Sequence, residues 1–266
     1  MRQLALALAD GGVVARRNLI KIRRVPEILV WTTMSPIMFV LLFGYVFGSS
    51  IKIPGVNYRE YLIAGVFAQT VVFGSTFTGV GLAEDITKGI LDRFRSLPMA
   101  RSAVLVGRTA GDVVYNFISV LVMSITGLVV GWRIRTSLLQ AVGGYVLLLL
   151  FAYAISWIMA YVGLKASSVE VVNNASFMVI FPLTFVANTF VRSDALPGPL
   201  KTFAEWNPVS SVAQATREAF GNTGALPSAD VWSLNHPAAY TLIWVAIILA
   251  VFIPLSVRQY VRAARR

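Results

Sequence analysis

Charged side chains are missing from six long stretches of this chain, residues 28–51, 61–83, 113–132, 136–164, 171–191 and 237–257, and collect between them. A helix that crosses the hydrocarbon core of a bilayer needs about 20 apolar residues, and a water-soluble domain has no use for six such runs. The pattern predicts an all-α integral membrane protein with six transmembrane helices. Residues 1–27 form an arm, 28–257 the spanning domain and 258–266 a basic tail.

The runs differ in character. Pro36 in the first withdraws a backbone donor and favours a bend. The second carries Gly65, Gly74, Ser75, Thr76, Thr78, Gly79 and Gly81, small and hydroxylated residues that let helices approach closely and pair across the contact. It is expected to lie against protein rather than lipid. A tight basic turn, Arg133 to Arg135, joins the third and fourth runs as an antiparallel pair. The fifth holds Asn173, Asn174 and Asn188 and a second point for bending at Pro182.

Three polar segments punctuate the runs. Residues 13–25 place Arg16, Arg17, Lys21 and Arg24 near helical spacing, with Ala15, Leu19 and Ile22 on another face. This predicts an amphipathic helix in the headgroup layer, either a basic anchor or a moving element that touches a cytoplasmic partner. Glu84 and Asp85 close the second run. Lys88, Asp92, Arg93 and Arg95 follow at helical intervals, Leu91 and Phe94 supply an apolar strip, and Leu97-Pro98 stops the segment before Arg101 and Arg108. A short cytoplasmic helix with both signs of charge suits docking to another subunit, or packing against its own chain or the membrane. Between the fifth and sixth runs, Asn207 and Pro208 mark the start of a helix. There Val209, Val212, Ala213, Ala215 and Thr216 make a small, apolar contact surface, with Arg217 and Glu218 toward its end. It reads as a re-entrant or surface helix at the outer boundary, capping a route or closing the bundle.

Composition agrees with the pattern: 57% hydrophobic, 13% charged, mean hydropathy +0.72. The net charge of +11 would suggest nucleic acid as a partner of a soluble chain. With the first segment cytoplasmic, 16 of the 23 Lys and Arg lie on the cytoplasmic side, as the positive-inside rule requires. An anionic leaflet then accounts for the charge, and no nucleic acid is called for. Both termini are expected in the cytoplasm, and residues 1–27 do not read as a cleaved signal peptide.

Little covalent chemistry is available. Cysteine is absent, His236 is the single histidine, and no glycine-rich loop ends in Lys-Ser/Thr to cradle phosphates. Any ATP hydrolysis belongs to another chain, so the protein is not expected to be an enzyme, nor to bind a metal or cofactor itself. Acidic residues avoid the centres of the six runs, which argues against a carboxylate proton relay.

Glu84-Asp85, Gly89, the run from Leu91 through Asp92, Arg93, Phe94, Arg95, Ser96 and Leu97 to Pro98, and Arg101 together resemble the cytoplasmic signature of type-2 ABC exporter permeases. Arg108 and Asp112 extend the similarity, and Asn207-Pro208-Val209-Ser210 is similar to the family's segment before the sixth span. The daunorubicin/doxorubicin-resistance branch looks most alike. Many members have Glu-Arg where this chain has Asp92-Arg93. The resemblance implies six spans, an amphipathic N-terminal connecting helix, a coupling region over residues 84–98 and an outer re-entrant element over 207–220. It implies a second permease chain, identical or related, and two separate ATPase subunits that carry ATP and magnesium. The cargo it implies is an amphipathic drug or lipid drawn from the cytoplasm or inner leaflet of a bacterial plasma membrane. An ABC permease for polysaccharide, or a non-ABC channel, carrier or scaffold, fits the residues as an alternative. The sequence does not single out the side chains that touch cargo.

Overall fold

Every long apolar run for which structure is described is helical, because a backbone in hydrocarbon must satisfy its own hydrogen bonds. The computed structural model describes residues 27–47, 55, 57–90, 103–223 and 231–263. The α-helices among them, in chain order, are α1 (Glu27–Leu41, continued by a π-helical turn Leu42–Phe47), α2 (Tyr58–Gly74), α3 (Thr76–Thr87), α4 (Ala103–Val130), α5 (Leu138–Lys165), α6 (Val169–Phe185), α7 (Gly198–Trp206), α8 (Pro208–Phe220), α9 (Trp232–Asn235) and α10 (Pro237–Ala263). Among the described residues four stretches are long and apolar enough to cross a membrane: Tyr58–Thr87, Val104–Val130, Leu138–Lys165 and Pro237–Arg262. Met34–Val46 and Val169–Phe185 are apolar but shorter. The protein is thus an all-α, multi-pass membrane protein.

Local sequence sets the helix ends. The Asn57 and Ser168 side chains accept from the first turns of α2 and α6, and Ser137 with Gln140 forms a reciprocal capping box at α5. Asn207 caps α8, Pro208 occupies its first position, and Gly221 ends it in the left-handed conformation (φ 71°).

The second span is the most deeply buried, and its glycines explain how. Gly79 on α3 and Gly163 on α5 face each other so closely that a Cβ on either would overlap the other helix's backbone. Dispersion, not hydrophobicity, drives helix association in lipid, so this contact depends on the missing side chains. Gly163→Ala is expected to lower stability by about 1–3 kcal/mol, read as a fall in melting temperature in detergent. At the other end of the bundle Phe67, Trp132, Tyr145 and Phe220 pack edge-on or tilted with centroids 4.9–6.1 Å apart, tying α2, α5 and α8 to the turn after α4.

Several boundaries differ from the sequence expectation. The second run is not one uninterrupted helix but breaks at Ser75. The third helix starts at Ala103 rather than at residue 113, so Arg108 and Asp112 lie within it. The fifth ends at Phe185 rather than at 191, because the outer helix takes over its last polar groups: Asn207 Nδ2 donates to the Leu183 carbonyl (2.7 Å), and the Ser210 hydroxyl accepts from the Asn188 N–H (2.7 Å). Helix α10 runs past Val257 to Ala263, with Tyr260 buried against Leu105 and Trp157. The amphipathic helix expected at 13–25, with Arg16, Arg17, Lys21 and Arg24, lies outside the described residues.

Candidate functional site

The interruption of the second span is chemically organised. Ser75 keeps helical dihedrals (φ −68°, ψ −17°), so the axis continues, but the Thr78 N–H turns to the Ser75 carbonyl (3.2 Å) in a tightened turn. The Ser75 hydroxyl donates to Val71 of its own helix (2.7 Å) and to Ala152 of α5 (3.0 Å). Thr76 Oγ1 donates to the Phe73 carbonyl (2.7 Å), and Arg108 of α4 donates to the Phe77 carbonyl (2.8 Å). A side chain from another helix thus takes up a carbonyl beside the break.

Arg108 is itself held by Asp112, one turn along α4 (3.7 Å), and Asp112 accepts from the buried Thr78 hydroxyl of α3. Asn116, a further turn along, donates to the Asp112 carbonyl (3.0 Å) and places Oδ1 where a Cβ of Gly74 would stand. Gly81 leaves room for the Arg108 guanidinium in the same way. One face of α4 therefore grips the second span on both sides of Ser75. In the sequence Arg108 flanks the start of the third run, and the i, i+4, i+8 spacing of Arg108, Asp112 and Asn116 is the signal that marks this face.

At the same height lies a pocket of ≈ 340 Å³. Phe39 of α1, Phe73 and Phe77 flanking the break, and Phe177, Phe181 and Phe185 of α6 supply most of its wall. Gln69, Thr70, Thr76, Tyr115 and Ser119 add polar groups, and none of the lining residues is charged.

Toward the Lys165 end of the bundle, α3 carries Glu84 and Asp85 in its last turns. Glu84 pairs with Lys88 (3.6 Å), which ends the helix, and Gly89 (φ 64°) turns the chain away. Glu84 and Asp85 thus sit on a direct continuation of the broken span. Leu91, Asp92, Arg93, Phe94, Arg95, Leu97, Pro98 and Arg101 lie outside the described residues.

At the opposite end α8 is docked by its polar groups as much as by its apolar face. Val209 and Ser210 are fully buried. Arg217, expected only as a polar residue near the helix end, is also fully buried. Its guanidinium lies 3.6 Å from the centre of the Tyr61 ring and donates to the carbonyls of Tyr61 (3.0 Å), Asn188 (2.6 Å) and Thr189 (3.1 Å). The Tyr61 hydroxyl in turn donates to the Asn188 side chain. Asn222 accepts from Trp132 (2.7 Å) and donates to the Arg133 carbonyl (3.0 Å), while Arg135 clasps Glu60 (2.7 Å). Nearby, burial pushes the Glu218 carboxyl above its ordinary range, and the Arg192 guanidinium holds Asp194 below it.

Among the described residues no group of three or more His, Asp or Glu is placed to hold a metal ion. A family model described as ABC-2 type transporter matches residues 11–220. The chain is 34% identical over 244 residues to a daunorubicin resistance ABC transporter permease protein, DrrB1, of Streptomyces coeruleorubidus, spanning 92% of this chain and 83% of that protein. A probable doxorubicin resistance ABC transporter permease protein, DrrC, of Mycobacterium tuberculosis is 26% identical over 224 residues, 84% of this chain and 78% of that one. A putative transport permease of Cyanophora paradoxa, ycf38, is 22% identical over 227 residues, with the same coverage.

Proposed function

We propose that this chain, which belongs to the ABC-2 type transporter family, is the permease subunit of an ATP-driven exporter that moves an amphipathic drug-like molecule or lipid outward across a bacterial plasma membrane. The observation that carries this reading is continuity. The helix bearing Glu84 and Asp85 is the same one whose break lines an aromatic, uncharged pocket, so a push at one end reaches the other through a single element. The names of the relatives, which speak of daunorubicin and doxorubicin resistance, support an amphipathic aromatic cargo. A saccharide route would call for a lining of hydroxyl and amide groups, and phenyl rings dominate here.

In this reading α1 and α6 are the first and fifth of six spans, residues 1–27 form the connecting arm and interfacial helix, and both termini are cytoplasmic. Residues 84–98 with Arg101 receive the motion of two separate ATPase subunits, which hold ATP and magnesium. A second permease, identical or related, completes the pathway. Asn207, Pro208, Val209 and Ser210 open an outer re-entrant element. ATP closure shifts the population of the transport path and makes no covalent bond to this chain.

The test is co-reconstitution with the partner ATPase in inverted vesicles. ATP-dependent accumulation of an amphipathic fluorophore is expected; conductance without vectorial movement would overturn the reading. Glu84→Lys and Arg93→Glu are expected to leave assembly and ATP hydrolysis in place while export falls at least about tenfold. Unchanged export in both variants removes these residues from transmission.

A further inference from the structure

Gln69 and Ser119 bring to the pocket a polar atom each with no hydrogen-bond partner among the described residues. Gln69 is 4% exposed and Ser119 2% exposed, and among the described residues neither Gln69 Oε1 nor Ser119 Oγ makes a hydrogen bond. The other hydroxyls of the second-span wall are engaged: Thr70 donates to the Val66 carbonyl (2.7 Å) and Thr76 to that of Phe73. Gln69 Oε1 and Ser119 Oγ thus place one acceptor and one hydroxyl, from α2 and α4, at a depth where a polar group without a partner is costly.

The rings around these atoms are ordered. Phe177, Phe181 and Phe185 form a ladder on α6, with successive centroids 5.0 and 4.1 Å apart and planes inclined by 30° and 23°. Across from them Phe77 lies 5.2 Å from Tyr115. The ladder reaches the outside of the bundle at Phe177, which is 58% exposed, so a ligand dissolved in the bilayer has a way in. The volume of ≈ 340 Å³ lies in the range of small-molecule sites, about 300–1,000 Å³.

We propose that this pocket, within a single chain, binds a flat aromatic molecule bearing an N–H or O–H donor, with the α6 ring ladder holding its plane and Gln69 and Ser119 taking its polar group. The proposal rests on the exporter reading only in calling that molecule cargo. An acyl chain would fill the volume and leave both polar atoms unmet. A permanent cation would find no carboxylate among the lining residues, and an anion would meet an acceptor at Gln69 Oε1. A neutral or weakly basic polycyclic amine or phenol uses every feature: ring faces against rings, and its donor on the amide oxygen.

The test uses the full-length chain in lipid nanodiscs, without ATPase, and two probes of equal shape, 2-aminoanthracene and 2-methylanthracene. Binding is followed by fluorescence anisotropy and corrected for partition into protein-free discs. Saturable binding is expected, with the amine preferred. Gln69→Leu is expected to weaken the amine about tenfold, Ser119→Ala by a smaller factor, and neither to change the methyl compound. If Gln69→Leu unfolds, Ser119→Ala and the parent protein's preference between the two probes decide the matter. Absence of saturable binding, equal affinity for both probes in the parent, or displacement of the amine by a single-chain phosphocholine lipid at comparable concentration overturns the proposal. Vectorial, ATP-driven movement of another amphiphile in the vesicle assay would then leave the exporter reading standing. Amine binding without such movement would keep the pocket and remove the exporter.

Discussion

Replacing Arg217 with leucine is expected to cost about 3–5 kcal/mol, lowering the melting temperature in detergent by about 10 °C. The side chain joins α8 to α2 and to the segment after α6 through three carbonyls and one tyrosine face. Leucine fills much of the volume but takes the charged donor away from all three buried carbonyls. Lysine keeps the charge yet cannot reproduce the planar fork, so Arg217→Lys should rescue only a minor part of the loss. The expected consequence is release of the outer helix from the bundle, seen as protease sensitivity between residues 186 and 223 before global unfolding. A leucine variant that melts within about 2 °C of the parent would remove Arg217 from the set of anchors.

Asp112→Ala is expected to be nearly as damaging, about 2–4 kcal/mol, for a different reason. It takes away the charge that balances a mostly buried Arg108 and the acceptor of Thr78. Removing both charges together, as Arg108→Met with Asp112→Leu, should recover much of the stability, because neither charge is then stranded. Export should not recover, since the Phe77 carbonyl loses its cross-helix donor. A thermodynamic cycle over the four proteins, with ATP-driven export measured on each, separates the two effects. Losses of stability that simply add would show that the pair acts as two independent side chains.

The helical character of the chain, the burial of its second span and the start of α8 at Asn207-Pro208 were all legible in the sequence. They follow from local rules: charge-free length, small-residue content, and the pairing of a capping side chain with proline. What escaped was set by contacts between distant segments. Nothing near Ser75 in sequence shows that Arg108 supports the turn beside it. Phe185 could not be read as a helix end, because the groups that take over beyond it come from Asn207 and Ser210. In sequence Arg217 is only a charged residue toward a helix end; the tertiary approach of Tyr61 and the segment from 188 to 189 buries it. The pocket was equally hidden, since its wall draws a few residues from each of four separate stretches of chain.

The break at Ser75 also sets a mechanical ratio. Above it, α2 is fastened to α8 by Arg217 and to the turn after α4 by Glu60 and Arg135, so that half is the stationary end of a beam. Below it, the 12 residues of α3 project about 18 Å to Thr87. A tilt of about 10° about Ser75 carries the tip roughly 3 Å, while Phe77, one half-turn from the fulcrum, moves by well under 1 Å. If the Glu84 end receives the stroke of the proposed ATPase partners, several ångströms there would be geared down to a displacement on the scale of one van der Waals contact at the phenyl wall, the scale that would gate the proposed flat ring.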